Sequence, residues 1–394
     1  MIKENSDFKN KLQGLEFAKG IAIIFILISY AFNFWIAYNY NLRYLFGYIF
    51  LILEFFGASS FIFLFSFSVI FTLNKKMGRI PKKANRNKVI RQSLVLILLG
   101  MLFNIVSVRN ISFPLSIWGW NVLLFIGVSQ MICYFALKLV RWTRLAIGIL
   151  LIFLTPGVRK LLFLGKDINI IFDIIYNIIV SPVPKYPLLP YASICLFSTI
   201  FGELIFEARS LKSEYANINS VSSIIKYSLI FIAVGLFLPI FQLNLFITSE
   251  NFNMNSYPFL EAYPILVGYS YVYIPGMPEF LLMASPANLF LIVGISLLIF
   301  SFSYFKIDIK KRKNKVFNFF IFFAKYPISL LFLQFIFLPI FYQLLSIELI
   351  FFVFIGYIAL LGLILYVLRR FTNSILTLEF LIKILSGKDK DESI

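Results

Sequence analysis

Apolar runs long enough to cross a bilayer recur from one end of this chain to the other, and no other feature narrows the fold as far. They fall at 16–38, 47–73, 92–108, 117–138, 145–163, 188–207, 226–247, 286–305, 326–345 and 347–369. Each is close to the roughly 20 residues that a helix needs to cross a hydrocarbon core of about 30 Å. Such a segment satisfies its backbone hydrogen bonds internally only as a helix or within a closed barrel. Continuous apolar runs select the helix. With 60% hydrophobic and 14% charged residues, the chain lies far from the roughly 25% charge of soluble domains. The reading is an all-α polytopic transmembrane bundle of about ten spans, one domain over 1–394, with tails at 1–15 and 370–394. Lys3, Glu4, Asp7, Lys9 and Lys11 precede the first run, which is too long for the apolar core of a cleavable signal.

The net charge of +18 would suggest nucleic acid in a soluble protein. Here it sorts by side. With the N-terminus in the cytoplasm, the inner segments hold 29 of the 36 Lys and Arg residues. The outer segments hold Arg43, Arg109, Arg159, Lys160, Lys166 and Lys185, and Lys325 stands at the head of the ninth span. That bias orients membrane proteins, so both termini are expected in the cytoplasm, with the plasma membrane as the location and no nucleic-acid partner.

Three pieces between spans carry information. "NKKMGRIPKKANRNKVIR" (74–91) holds eight positive charges and no acid. It reads as a topology anchor on anionic lipid or as a surface for a phosphate-rich cytosolic ligand. In "INIIFDIIYNIIV" (168–180), Asn169, Asp173 and Asn177 share one helical face, which makes an amphipathic helix at the outer interface. The outer loop 248–285 carries Glu250, Glu261 and Glu279 with no Lys or Arg, and suits a lid over a substrate.

Polar residues inside spans are costly and mark function. At 1.5 Å per residue, Tyr30 lies about 15 Å beyond Gly20, near the midplane. Glu54 sits on the second span, below the outer face. It is the one deep carboxylate, a group that burial turns into an acid or base near neutral pH. Asn104, Asn121, Gln334 and Lys325 complete the set, while Glu203 and Glu207 read as interfacial charges at a helix end. Tyr30 has a plainer role available, as hydrogen-bonding glue between helices. The chain has no histidine, so no Ser-His or Cys-His nucleophile can be built. Cys133 and Cys195 read as small core hydrophobes. No phosphate-binding loop, dinucleotide fingerprint or metal-ligand cluster is present in the sequence, so no metal site is expected.

Several stretches, taken together, resemble one family. "LEFAKGIAIIFILISY" (15–30) is similar to an acidic-x-x-Arg-Gly-Ile-Ala opening, with Lys19 in place of the Arg. "GASSFIFLFSFSVIF" (57–71) is followed by the basic loop and "RQSLVLILLGMLFNI" (91–105). "NVLLFIGVSQMICYFAL" (121–137), "YPLLPYASICLFSTIFGELI" (186–205) and "AKYPISLLFLQFIFLP" (324–339) continue the series in order. The set resembles the heparan-alpha-glucosaminide N-acetyltransferase catalytic domain and the wider transmembrane acyltransferases.

The resemblance implies transfer of an acyl group, usually acetyl, from cytosolic acyl-CoA to a sugar or glycan acceptor on the far side. No cofactor is held permanently, and membrane lipid is the surrounding partner. Lys82, Lys83 and Arg86 would hold the CoA phosphates. Where relatives carry His or Asn ten residues after the glycine, this chain has Tyr30; the other motif histidines fall on Leu124 and Gln334. If the chain is active, Glu54 is the expected base, with Tyr30 and Gln334 donating hydrogen bonds to a developing oxyanion. The alternatives are a catalytically silent relative, and a transporter or exporter of a lipid or sugar.

Overall fold

The computed structural model describes residues 12–37, 43–76, 82–107, 115–165, 168–179, 186–241, 246–247, 277–278, 280, 284–372 and 377–385. The expected lid at 248–285 lies almost wholly outside the described residues. The described residues are predominantly helical, with a two-residue antiparallel pairing of Phe246–Ile247 with Met277–Pro278 and an isolated parallel bridge between Ile36 and Leu345. Among the described residues, seven helices are long and apolar enough to cross a membrane, and an eighth follows if one bent pair counts as a single span.

The central element is α1 (Gln13–Trp35), most of which is buried. Leu12 offers no side-chain cap, so the exposed amides at this helix start need an acceptor from elsewhere. Asp308 supplies it, accepting from Gln13 N at 3.0 Å and Gly14 N at 2.7 Å. Against α1 lie α2 (Arg43–Glu54), a π-helical turn (Phe55–Ser59) and α3 (Ser60–Lys76), which run on as one rod. Next come α4 (Lys82–Ser107) and α5 (Val122–Ala136), then α6 (Arg141–Gly165) and the short α7 (Ile170–Ile179).

The expected loop 74–91 is therefore largely helix, since α4 begins at Lys82 rather than at 92. Long basic side chains explain the difference. They tolerate a helix that runs out of the bilayer, because their charged ends reach water while their stems cover apolar surface. On α7, Asn177 donates to Asp173 at 2.9 Å and Ile171 N donates to Asn169 at 2.8 Å. Ile170, Ile171 and Ile174 stand exposed on the same helix, as an interfacial helix requires.

The second half holds α8 (Leu188–Ser210), α9 (Glu214–Phe237) and α10 (Pro286–Ser303). It continues with α11 (Lys315–Ala324), α12 (Pro327–Phe337), α13 (Ile350–Thr372) and α14 (Leu378–Leu385). Helices α9 and α10 pack closely at Gly235 and Gly294, where Ser228 Oγ donates to the Gly294 carbonyl at 2.8 Å. Small residues and hydroxyls of this kind replace the hydrophobic effect in lipid. At the head of the ninth expected span (326–345), α11 and α12 meet at a bend of 83°. Lys325 falls in that bend, and Pro327 opens α12, since its ring cannot continue the preceding turn.

At the opposite end of α8 from its proline-rich start, Arg141 and Arg144 of α6 pair with Glu203, and Arg141 also with Glu207. The two glutamates are helix-end charges, as expected, and their partners join α6 to α8.

Candidate active site

Glu54 is 1% exposed. An unpartnered carboxylate at such a depth would neutralise or be expelled, and this one has two hydroxyl partners. Ser29 Oγ donates to Oε1 at 2.5 Å, and the Tyr186 hydroxyl donates to Oε2. The π-helical turn starts at the next residue. Such wide turns re-aim side chains and recur at functional sites.

Tyr186 is positioned by the stretch that leads into α8. Its backbone N–H donates to the Trp120 carbonyl at 3.2 Å. Trp120 is itself fixed through an Nε1 bond of 2.9 Å to the Ile178 carbonyl. The Tyr186 ring stands edge-on to Tyr191 at 5.6 Å. Behind Trp120, Asn121 caps α5 by accepting from Leu124 N at 2.8 Å and donates to Asn104 Oδ1 at 2.6 Å. Asn104 in turn donates to the carbonyls of Ile117 and Gly119. The two intramembrane asparagines thus hold up the wall on which Tyr186 rests.

Along the π-helical turn, α3, α5 and α8, further hydroxyls and thiols meet in separate contacts. Tyr191 and Ser59 share a hydrogen bond of 3.1 Å. Further down, Ser66 Oγ meets Cys195 Sγ at 3.6 Å, and Cys133 Sγ meets the Ser66 carbonyl at 3.9 Å. Both cysteines are free and buried. Beyond them opens a cleft of about 250 Å³ between α3, α4 and α5. Its polar wall is Ser68, Thr72, Asn85, Lys88, Gln92 and Gln130. Phe65, next in sequence to Ser66, closes its inner side.

The residues expected from the sequence distribute as follows. Glu54 is the centre of the buried network. Tyr30 lies beside Phe103 of α4 and Phe335 of α12, with ring centroids 6.4 and 5.8 Å away. The preceding residue, Ser29, is the α1 side chain that binds Glu54, because consecutive residues on a helix face directions about 100° apart. Gln334 is fully buried on α12, and neither its amide N nor its amide O has a hydrogen-bond partner among the described residues. Lys83 and Arg86 are exposed on the first turns of α4, two residues from the cleft residues Asn85 and Lys88 respectively, and so about 200° around the helix from them. Lys82 opens the same helix, and its side chain lies outside the described residues. Among the described residues no group of three or more Cys, Asp or Glu is placed to hold a metal ion.

Sequence reasoning missed Tyr186 and Ser29. Both stood inside quoted stretches, Ser29 beside Tyr30 and Tyr186 at the head of the proline-rich run. Their signal was a hydroxyl at the depth of a lone carboxylate.

The profile of the family described as heparan-alpha-glucosaminide N-acetyltransferase, catalytic, matches residues 11–261. The chain belongs to this family. Membership implies acetyl transfer at a membrane as the general activity, with acetyl-CoA as the family's general donor. The match spans α1 to α9, so Glu54, Ser29, Tyr186 and the cleft all lie within it. The stretch 324–339 and Gln334 lie beyond it. No curated protein matches the chain.

Proposed function

We propose that this acetyltransferase-family protein moves an acetyl or other acyl group from acyl-CoA on its basic, cytoplasmic face to a sugar or glycan hydroxyl or amine on the opposite face. The observation that carries the reading is the buried Glu54, held by two hydroxyls, on the same rod whose lower part, at Ser68 and Thr72, lines the cleft. The cleft, at about 250 Å³, is smaller than the roughly 300–1,000 Å³ of sites for drug-sized ligands. It suits the thin pantetheine arm of the donor, whose amides match Asn85, Gln92 and Gln130. The phosphates stay outside, where Lys82, Lys83 and Arg86 offer charge-assisted contacts.

In the transfer, the acceptor oxygen or nitrogen attacks the thioester carbonyl and the carbon–sulfur bond breaks. The acceptor proton passes to Glu54, directly or through Ser29 or Tyr186, and returns to the departing CoA sulfur. This proton route needs no histidine. Once Glu54 has taken the proton, Tyr186 can turn its single O–H from the carboxyl to the developing oxyanion, a role worth about 10²–10³ in turnover for one such group.

A second reading draws on the same observation. Two hydroxyls saturating a carboxylate also describe a structural network, and the chain would then be a catalytically silent relative. Purified protein, incubated with labelled acetyl-CoA and a panel of hexosamine and hexose acceptors, separates the two. The first reading expects acetylated sugar and stoichiometric free CoA, both lost in Glu54→Gln. An amide keeps the shape and the bond to Ser29 but cannot take the proton. Acetyl-CoA binding without turnover on any acceptor selects the silent relative.

A further inference from the structure

Helix α14 (Leu378–Leu385) follows the last membrane-length helix, and its two faces differ in kind. Facing inward, Glu379 Oε1 accepts from Ile328 N at 2.7 Å and from Ser329 N at 3.1 Å. The Ser329 hydroxyl donates to the other carboxylate oxygen. In return, Leu378 N donates to Ser329 Oγ at 2.9 Å. Two helix starts that lie about fifty positions apart in sequence thus cap one another, each supplying the acceptor that the other's free amides need. Burial raises the Glu379 carboxyl above its usual range, against the lowering effect of the Ser329 and Ile328 donors. Ile382 is buried on the same inward face.

Facing outward, Leu381, Ile384 and Leu385 are 43, 49 and 57% exposed. Their spacing of three and four places them in one stripe, with Lys383 exposed beside them. The same end of α13 carries Arg369 and Arg370 and presents Phe371 at 76% exposure. An apolar stripe flanked by basic residues, continuous with the end of a membrane-length helix, matches the headgroup boundary of an anionic leaflet.

We propose that α14 is an interfacial helix seated in the anionic leaflet on the basic side of the protein, and that the Glu379–Ser329 box ties the start of α12 to it. The partner is lipid. The tie ends at the bend between α11 and α12, so whatever lifts α14 from the leaflet also frees the start of the helix that carries Gln334. This holds whether or not the protein transfers acyl groups.

The test uses the full-length protein in nanodiscs that contain anionic lipid. A fluorophore on Ile384→Cys, with both native thiols buried, is expected to be quenched by brominated lipid and shielded from iodide. Strong iodide quenching with none from brominated lipid, or protein–protein crosslinking through position 384, overturns the lipid assignment. Hydrogen exchange then tests the tie. Glu379→Ala should speed exchange at Ile328 to Leu331 and across α14 by roughly tenfold to a hundredfold, the weight of charge-assisted bonds. Glu379→Gln should fall between the wild type and Glu379→Ala, because the amide oxygen still accepts from both backbone donors but without the charge. Ile382→Asp attacks the inward face without touching the box. Faster exchange of Ile328 to Leu331 in that variant supports the tie, and an unchanged rate there beside a freely exchanging α14 overturns it.

Discussion

Glu54 shows how a single residue can be half legible in sequence. Its burial on a membrane span follows from the surrounding apolar run, and its need for a partner follows from the cost of an isolated buried carboxylate. The partners do not follow, because Tyr186 lies 132 positions away and is aimed by a carbonyl of Trp120. Removing one partner tests the balance. Tyr186→Phe leaves the carboxylate one donor short and should cost about 1.5–3 kcal/mol of stability, read as a lowered unfolding midpoint in detergent. Gln334 poses the opposite case. Its amide is buried without a partner, a state that costs about 1–3 kcal/mol for each stranded group. Gln334→Leu should therefore leave stability unchanged or raise it, and a fall of more than 1 kcal/mol, on the same scale, would mean that the amide has a partner. Placement in α12, outside the family match, is why its expected role could be taken only from a weaker likeness.

At the scale of elements, Lys19-Gly20 reads differently in sequence and in structure. The pair looks like a basic entrance. In the structure, Lys19 bonds Glu16 at 2.7 Å, and a Cβ on Gly20 would stand 2.0 Å from the Phe320 carbonyl oxygen. The glycine exists for backbone contact between α1 and α11. Gly20→Leu should push α11 away and cost about 1–3 kcal/mol, the usual range for overpacking, measured again as an unfolding midpoint. Sequence could not foresee this, because Phe320 belongs to α11 (Lys315–Ala324), which precedes the expected span 326–345 and meets it at a bend. Pro327 was the one local sign of the break. The early start of α4 escaped notice for a related reason: charge density suggested a loop, whereas Lys and Arg are good helix formers.

At the scale of the whole molecule, membrane spans and their order are the most legible layer, since length and hydropathy decide them almost alone. Seven helices meet both tests, and the bent pair adds an eighth. Helix α5, at 15 residues, is short for a span, so the ten-span reading rests on it and on α6. The proposed orientation rests on charge. Cysteines introduced singly at positions 83 and 265 should react oppositely with a reagent confined to the outside of intact cells. Position 265 should label and position 83 should not; the reverse pattern would invert the protein in the membrane.

The central claim is vectorial acyl transfer across the bundle, with the donor at the cleft and Glu54 as the base. Proteoliposomes test it most directly, with labelled acetyl-CoA supplied only on the face that carries Lys83 and Arg86 and the sugar acceptor only on the other. The account predicts acetylated acceptor on the far side for the wild type, and none for Glu54→Gln at matched insertion and unfolding midpoint. Equal transfer by the wild type and Glu54→Gln, or product that forms only when donor and acceptor share a face, would contradict it.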